Sequence, residues 1–178
     1  MIKTIVIVVV LLLVAVVAVL AYAATKPATF RVQRTTTINA PPEKVFALIN
    51  DLRGWGAWSP YEKKDPAMKR AYSGQPSGKG AVYEWDGDKN VGKGRMEITD
   101  ESPPSRVVIK LDFLRPFEAH NTASFTMQPK GQSTDVTWAM DGPNLFIGKV
   151  MSVFIDMDKM IGKDFEEGLG NLKRLAER

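Results

Sequence analysis

The sequence predicts an α+β domain in which a curved antiparallel sheet wraps a long C-terminal helix, preceded by one N-terminal helix of transmembrane type. Three observations carry this expectation. An unbroken apolar run occupies Ile5 to Ala24. Successive stretches between residues 68 and 141 alternate apolar and polar side chains, as strands with one covered face do. From Phe154 onward, apolar residues recur every three or four positions, the spacing of an amphipathic helix. Strands in series closed by one long helix describe α+β layering, not alternating βαβ units.

The first element is the apolar run. As a helix rising about 1.5 Å per residue it spans roughly 30 Å, the hydrocarbon thickness of a bilayer. Nothing polar marks a face that could meet water. Lys3 and the N-terminal amine precede it, and Ala21-Tyr22-Ala23 fits the small-x-small rule for signal peptidase. The run is longer than the roughly 7–15 apolar residues of a cleaved signal, which favours a retained single-pass anchor over a signal peptide. Residues 1–25 are therefore an anchor or signal segment, and residues 26–178 the folded domain, joined through the short linker Thr25-Lys26-Pro27. Lys26, Arg31 and Arg34 would place that domain in the cytoplasm by charge. They fall largely inside a predicted strand, so the extracytoplasmic side is preferred.

The domain opens with a strand over Phe30–Ile38, with Phe30, Val32 and Ile38 on one face. Asn39-Ala40-Pro41-Pro42-Glu43 is a helix start, with proline in the first turn and an acid at the positive end of the helix dipole. Val45, Phe46, Ile49 and Leu52 follow at helical spacing, and a Gly- and Trp-rich segment, Arg53 to Pro60, ends that region. Strands are then predicted at Met68–Tyr72, Ala81–Trp85 and Lys93–Thr99, and through Val107–Phe113, Ala123–Met127 and Val136–Asp141. The closing helix carries a stripe of Phe154, Met157, Ile161, Phe165, Leu169, Leu172 and Leu175. Asp156 and Asp158 sit near its start and Lys173, Arg174 and Arg178 near its end, matching the dipole.

Composition removes much enzymology. The 178 residues include no cysteine and a single histidine, His120. A thiolate nucleophile, an iron–sulfur cluster, a cysteine-built zinc site and a multi-histidine metal centre are all excluded. No cofactor or metal is implied. Gly74-Gln75-Pro76-Ser77-Gly78-Lys79-Gly80 imitates a phosphate loop but is one spacer short, lacks the final Ser or Thr and leads into a strand. The net charge of +4 comes from lysines mixed with acids, so nucleic acid is not an expected partner. The densest basic cluster, Lys63-Lys64 with Lys69-Arg70, reads as a solvated face, and secondarily as a site of attraction for anionic headgroups.

Four blocks in order resemble the SRPBCC superfamily, also called START-like or helix-grip proteins, and within it the polyketide cyclase/dehydrase group. They are Ile38-Asn39-Ala40-Pro41-Pro42-Glu43-Lys44-Val45-Phe46; Trp55-x-x-Trp58-Ser59-Pro60; Gly80-x-x-Tyr83-x-Trp85-x-Gly87; and Gly162-x-Asp164-Phe165-Glu166-x-Gly168-Leu169-x-x-Leu172-Lys173. The resemblance covers nearly all of Phe30–Glu177 and leaves the apolar run outside. It implies a helix-grip fold with a cavity between the sheet and the last helix. Members include lipid carriers, hormone receptors and cyclases, so it does not fix an activity.

Against that expectation, the ligand-binding candidates are Tyr83, Trp85, Phe113, Phe125, Trp138 and Met140 from the sheet, with Phe165 and Gly168 from the closing helix. Met157 and Met160 are possible additions. Aromatic and methionine side chains suit a pocket for an apolar ligand, and equally an ordinary filled core. Gly168 interrupts the helix stripe and either leaves volume to roof a ligand or allows close approach of helix to strand; Gly162 permits the same argument more weakly. Trp55 and Trp58 are expected to plug one end of the sheet, with a membrane-facing role as the alternative. His120 is a general-base candidate with Asp112, Arg115 or Glu118, set against a solvated histidine. Glu84 and Asp112 fall on the outer face by alternation and should lie at the surface. No convincing catalytic set emerges.

The reading that results is a membrane-tethered domain binding a hydrophobic or amphipathic small molecule, lipids included, in the sheet–helix cavity. The alternatives are a cyclase-like enzyme using the same cavity, and a scaffold with a filled core.

Overall fold

A computed structural model describes residues 1–178. Helix α1 (Ile2–Ala24) leads into β1 (Thr29–Ile38), followed by α2 (Pro42–Asn50), a short 3-10 helix (Leu52–Ala57) and the single turn α3 (Tyr61–Lys64). Six further strands follow: β2 (Lys69–Gly74), β3 (Ala81–Asp86), β4 (Lys93–Ser102), β5 (Arg106–Arg115), β6 (Ala119–Lys130) and β7 (Ser133–Pro143). Helices α4 (Phe146–Phe154) and α5 (Met157–Ala176) complete the chain.

The seven strands form one antiparallel sheet in the order β1-β7-β6-β5-β4-β3-β2. Serial hairpins lay β2 to β7 side by side, and β1 closes against β7, Val32 opposite Met140 and Ile38 opposite Thr134. The expected α+β helix-grip architecture is therefore present, with α5 lying on β1 and β7. The core is built where period-two and helical patterns meet. Ile38, Ile98, Val107, Phe125, Leu169 and Leu172 are all fully buried there.

The closing helix is shorter than its sequence stripe suggests. Phe154 belongs to α4, and Ile155-Asp156 breaks the chain before α5, whose N-cap Asp156 accepts the Lys159 amide at 3.0 Å. The side-chain cap resets the helix, and the apolar periodicity runs on through the break because α4 is itself apolar. Helix α4 buries none of its residues in the domain and packs instead against α1. Helix α1 is long and apolar enough to cross a membrane, with a mean hydropathy of 3.5.

The two ends of the sheet differ. At one, α2 and the two tryptophans close the barrel. Trp55 Nε1 donates to the Ile49 carbonyl at 2.9 Å and Trp58 Nε1 to that of Leu48 at 3.3 Å. The other end gathers the start of β1, the end of β7 and the β5–β6 turn, as the pairs Thr29–Pro143 and Phe113–Ala119 require. Chain entry from α1 and the turn into α4 are both at this second end.

Candidate functional site

Because α5 rests on β1 and β7, the inner face of β3 to β6 is not filled by it. A cavity of about 480 Å³ results, and 19 of its 26 lining residues are hydrophobic. Trp138 and Phe165 stack where helix meets sheet. Tyr83, Trp85, Phe113 and Met140 line the sheet side, and Met157 and Met160 line the helix side. Trp85 lies across Gly94, where a Cβ would overlap its ring, and its Nε1 donates to the Val91 carbonyl at 3.0 Å. The glycine thus turns the indole into a flat wall.

Two expected residues are not in the wall. Phe125 is fully buried among Trp55, Trp58 and Trp138, with ring centroids 4.9–6.0 Å away. Gly168 does not roof the cavity. A Cβ there would stand 2.7 Å from Trp138 Cζ3 and 3.0 Å from Pro60 Cδ, so the glycine serves close packing. Gly162 also leaves no void, since its missing side chain makes room for the Arg34 guanidinium. Arg34 bonds Glu166 at 2.7 Å and Asp158 at 2.9 Å. This clasp of β1 to α5 holds the Asp158 carboxyl below its ordinary pKa, mainly through the Arg34 hydrogen bond.

Tyr83 apart, the polar wall groups carry no signal in the sequence. Tyr83 donates its hydroxyl to Glu62 Oε1 at 2.6 Å, and Glu62 also takes Arg70 Nε at 2.6 Å. Burial, then the Glu62 hydrogen bond, pushes the Tyr83 pKa well above the tyrosine range, so the phenol keeps its proton. Tyr61 is held protonated in the same way, by burial and then by Asp164. Lys64 Nζ meets Asp164 at 2.6 Å and ties α3 to α5 along the cavity edge. Asn121 is 8% exposed, lines the cavity, and its Oδ1 has no hydrogen-bond partner. Gly142 leaves the space this amide occupies. Trp55, expected as a plug or, alternatively, at the membrane, lines the cavity as well.

His120 and Asp112 lie on the opposite face of the sheet. Asp112 is 8% exposed, contrary to the surface position expected from alternation. Its carboxylate is covered by the groups that bond it, His120 Nδ1 at 2.7 Å and Lys110 Nζ at 3.0 Å. The pair aims away from the cavity. A second concavity of about 780 Å³ runs past His120, Arg31 and Asp141, but only one of its eight residues is hydrophobic. It is an open trough spanned by the Arg31–Asp141 ion pair at 2.8 Å. Enclosure and lining both single out the inner cavity as the binding candidate.

Seven antiparallel strands gripping a C-terminal helix around an internal apolar cavity define a helix-grip protein. The chain belongs to the family described as polyketide cyclase / dehydrase and lipid transport, whose model matches residues 29–177. Among solved structures it resembles protein CV1439 from Chromobacterium violaceum, with a TM-score of 0.59, 16% identity, and coverage of 86% of this chain and 99% of that one. Protein Ms6760 from Mycobacterium smegmatis gives a TM-score of 0.56 at 17% identity, covering 82% and 89%. The di-domain ARO/CYC BexL of the BE-7585A biosynthetic pathway gives 0.61 at 16% identity over 89% of this chain, which spans 53% of that longer protein. At these identities the likeness is one of fold. No curated protein matches the chain.

Proposed function

We propose that this protein, held at a membrane by α1, binds a hydrophobic or amphipathic small molecule, of lipid type, between its sheet and α5. The observation that carries the reading is the partly enclosed, predominantly apolar volume of about 480 Å³ between sheet and α5. Removing apolar ligand surface from water there contributes roughly 25 cal/mol per Å². The unpartnered Oδ1 of Asn121 supports an amphipathic ligand over a pure hydrocarbon, because a ligand O–H or N–H would satisfy it.

A second, cyclase-like reading rests on Tyr83 and Glu62, a phenol and a carboxylate 2.6 Å apart on the same cavity. The upward shift of the Tyr83 pKa weighs against it, since the phenol then gives up its proton reluctantly.

Native mass spectrometry of the full chain, released from detergent after addition of cis-parinaric acid, tests the binding reading. One-to-one uptake is expected. Ala123→Phe, which fills the cavity from β6, is expected to abolish uptake. Asn121→Leu is expected to weaken uptake of the fatty acid about tenfold while raising stability by about 1 kcal/mol, the scale of an unsatisfied buried polar group. Uptake unchanged by Ala123→Phe in a folded protein overturns the reading. Turnover of a poly-β-ketone substrate by the parent chain, lost on Tyr83→Phe with uptake of cis-parinaric acid unimpaired, would favour the enzyme.

A further inference from the structure

Helix α4 is apolar around most of its circumference yet packs on nothing in the domain. Phe154 is 73% exposed, Ile147 55% and Phe146 54%, and Leu145 just ahead of the helix is 53% exposed. Across the same end of the sheet, the β5–β6 turn presents Phe117 at 62% and Leu114 at 48% exposure. Two separate elements thus carry large apolar side chains outward at one end of the molecule. At the other end of the sheet, the β6–β7 turn around Gln132 is polar.

The position of α1 decides what covers these residues. The Asn144 amide donates to the Ala28 carbonyl at 2.7 Å, and Asn144 Nδ2 to that of Pro27 at 3.2 Å. The linker leaving α1 is therefore fastened to the turn that opens α4, and α4 packs along α1 itself. A bilayer that takes α1 is already in contact with α4. The cavity reaches this same end: Phe30, Pro143 and Ala119 lie at the sheet edge, and Met160, 53% exposed, lies on the first turn of α5.

We propose that α4 and the β5–β6 turn are seated in the lipid surface into which α1 inserts, so that the cavity mouth opens onto the bilayer. Ligand then moves between membrane and cavity along the Met157–Met160 side of α5, without crossing water. This placement rests on the reading of α1 as a membrane anchor.

The test exploits a chain without native cysteine. Single cysteines at Phe154, Phe117, Gln132 and Leu12 carry an environment-sensitive nitrobenzoxadiazole label, with the full chain reconstituted in phosphatidylcholine vesicles. Doxyl-labelled phosphatidylcholine reports lipid contact and aqueous iodide reports water contact. The labels at Phe154 and Phe117 are expected to be quenched by doxyl lipid several-fold more than the label at Gln132, and by iodide several-fold less. Labels at Phe154 and Phe117 that behave like Gln132, while Leu12 is quenched by lipid, overturn the proposal and leave the anchor standing. A Phe154 label shielded from iodide but untouched by doxyl lipid, with energy transfer between copies, means a second chain covers α4 and also overturns it. A Leu12 label open to iodide removes the anchor and this placement together.

Discussion

Trp138 lies flat on Phe165, ring centroids 4.2 Å apart and planes within 9° of parallel. This stack joins β7 to α5 at the point where the packed core gives way to the cavity, since both rings also line the void. Phe165 is 2% exposed. Phe165→Ala removes a buried aromatic next to existing empty space that cannot collapse further. A loss of about 3–5 kcal/mol in unfolding free energy is expected, read by denaturant titration of tryptophan fluorescence. Part of that loss, about 0.5–1.5 kcal/mol, belongs to the ring pair itself. It should appear as the coupling energy of a double-mutant cycle with Trp138→Leu.

Two glycines of α5 separate packing from propensity. Alanine normally gains about 1 kcal/mol over glycine inside a helix. At Gly170 the nearest atom to a new Cβ is Arg174 Nη1 at 3.9 Å, an ordinary contact. At Gly168 the Cβ presses on Trp138 and on the rigid ring of Pro60. Gly170→Ala is therefore expected to stabilise by up to about 1 kcal/mol. Gly168→Ala is expected to destabilise by about 1–3 kcal/mol, the usual cost of overpacking. Melting temperatures of the two variants should move in opposite directions.

The hydrogen bond to Asp112 raises the pKa of His120 above its ordinary value. Burial pulls Asp112 upward, but the bonds from His120 and Lys110 outweigh it and leave its pKa lowered. The histidine's contribution to stability is complete below its unfolded pKa, about 6.5, and is lost as pH rises through the folded value. The aspartate's contribution is present above the unfolded carboxyl pKa and is lost as pH falls through its lowered one. His120→Gln should therefore remove a decline in melting temperature that the parent chain shows as pH rises above about 6.5. As the only histidine, His120 gives a single imidazole resonance by which the folded pKa is followed directly.

The fold was legible because period-two strands and a helical stripe are each set by one covered face. The seven strands lie where alternation placed them, with β4, β6 and β7 running several residues further. Most of the cavity's aromatic wall was legible for the same reason. Alternation identifies the inner face but not which inner residues touch empty space. Phe125 and Trp138 therefore looked alike, although Phe125 is packed in among Trp55, Trp58 and Trp138, clear of the void. Gly168 and Gly162 could not be interpreted without knowing that Trp138 and Arg34 fill the space beside them. Asn121 gave no signal, because it falls ahead of the alternating stretch Ala123–Met127, in residues that the structure adds to β6. Helix α4 escaped notice because its apolar residues run into the stripe of α5 with no change of spacing to mark the break.

The linker bears on what kind of carrier this can be. Only Thr25 to Ala28 separate α1 from β1, and Asn144 fastens them down. Fully extended, four residues reach about 14 Å. With α1 in a bilayer, the domain has no range. It cannot ferry cargo to a distant compartment. A ligand bound as proposed would be drawn from and returned to the leaflet on which the domain stands, which makes it a local reservoir or a hand-over point for a neighbour in the same plane.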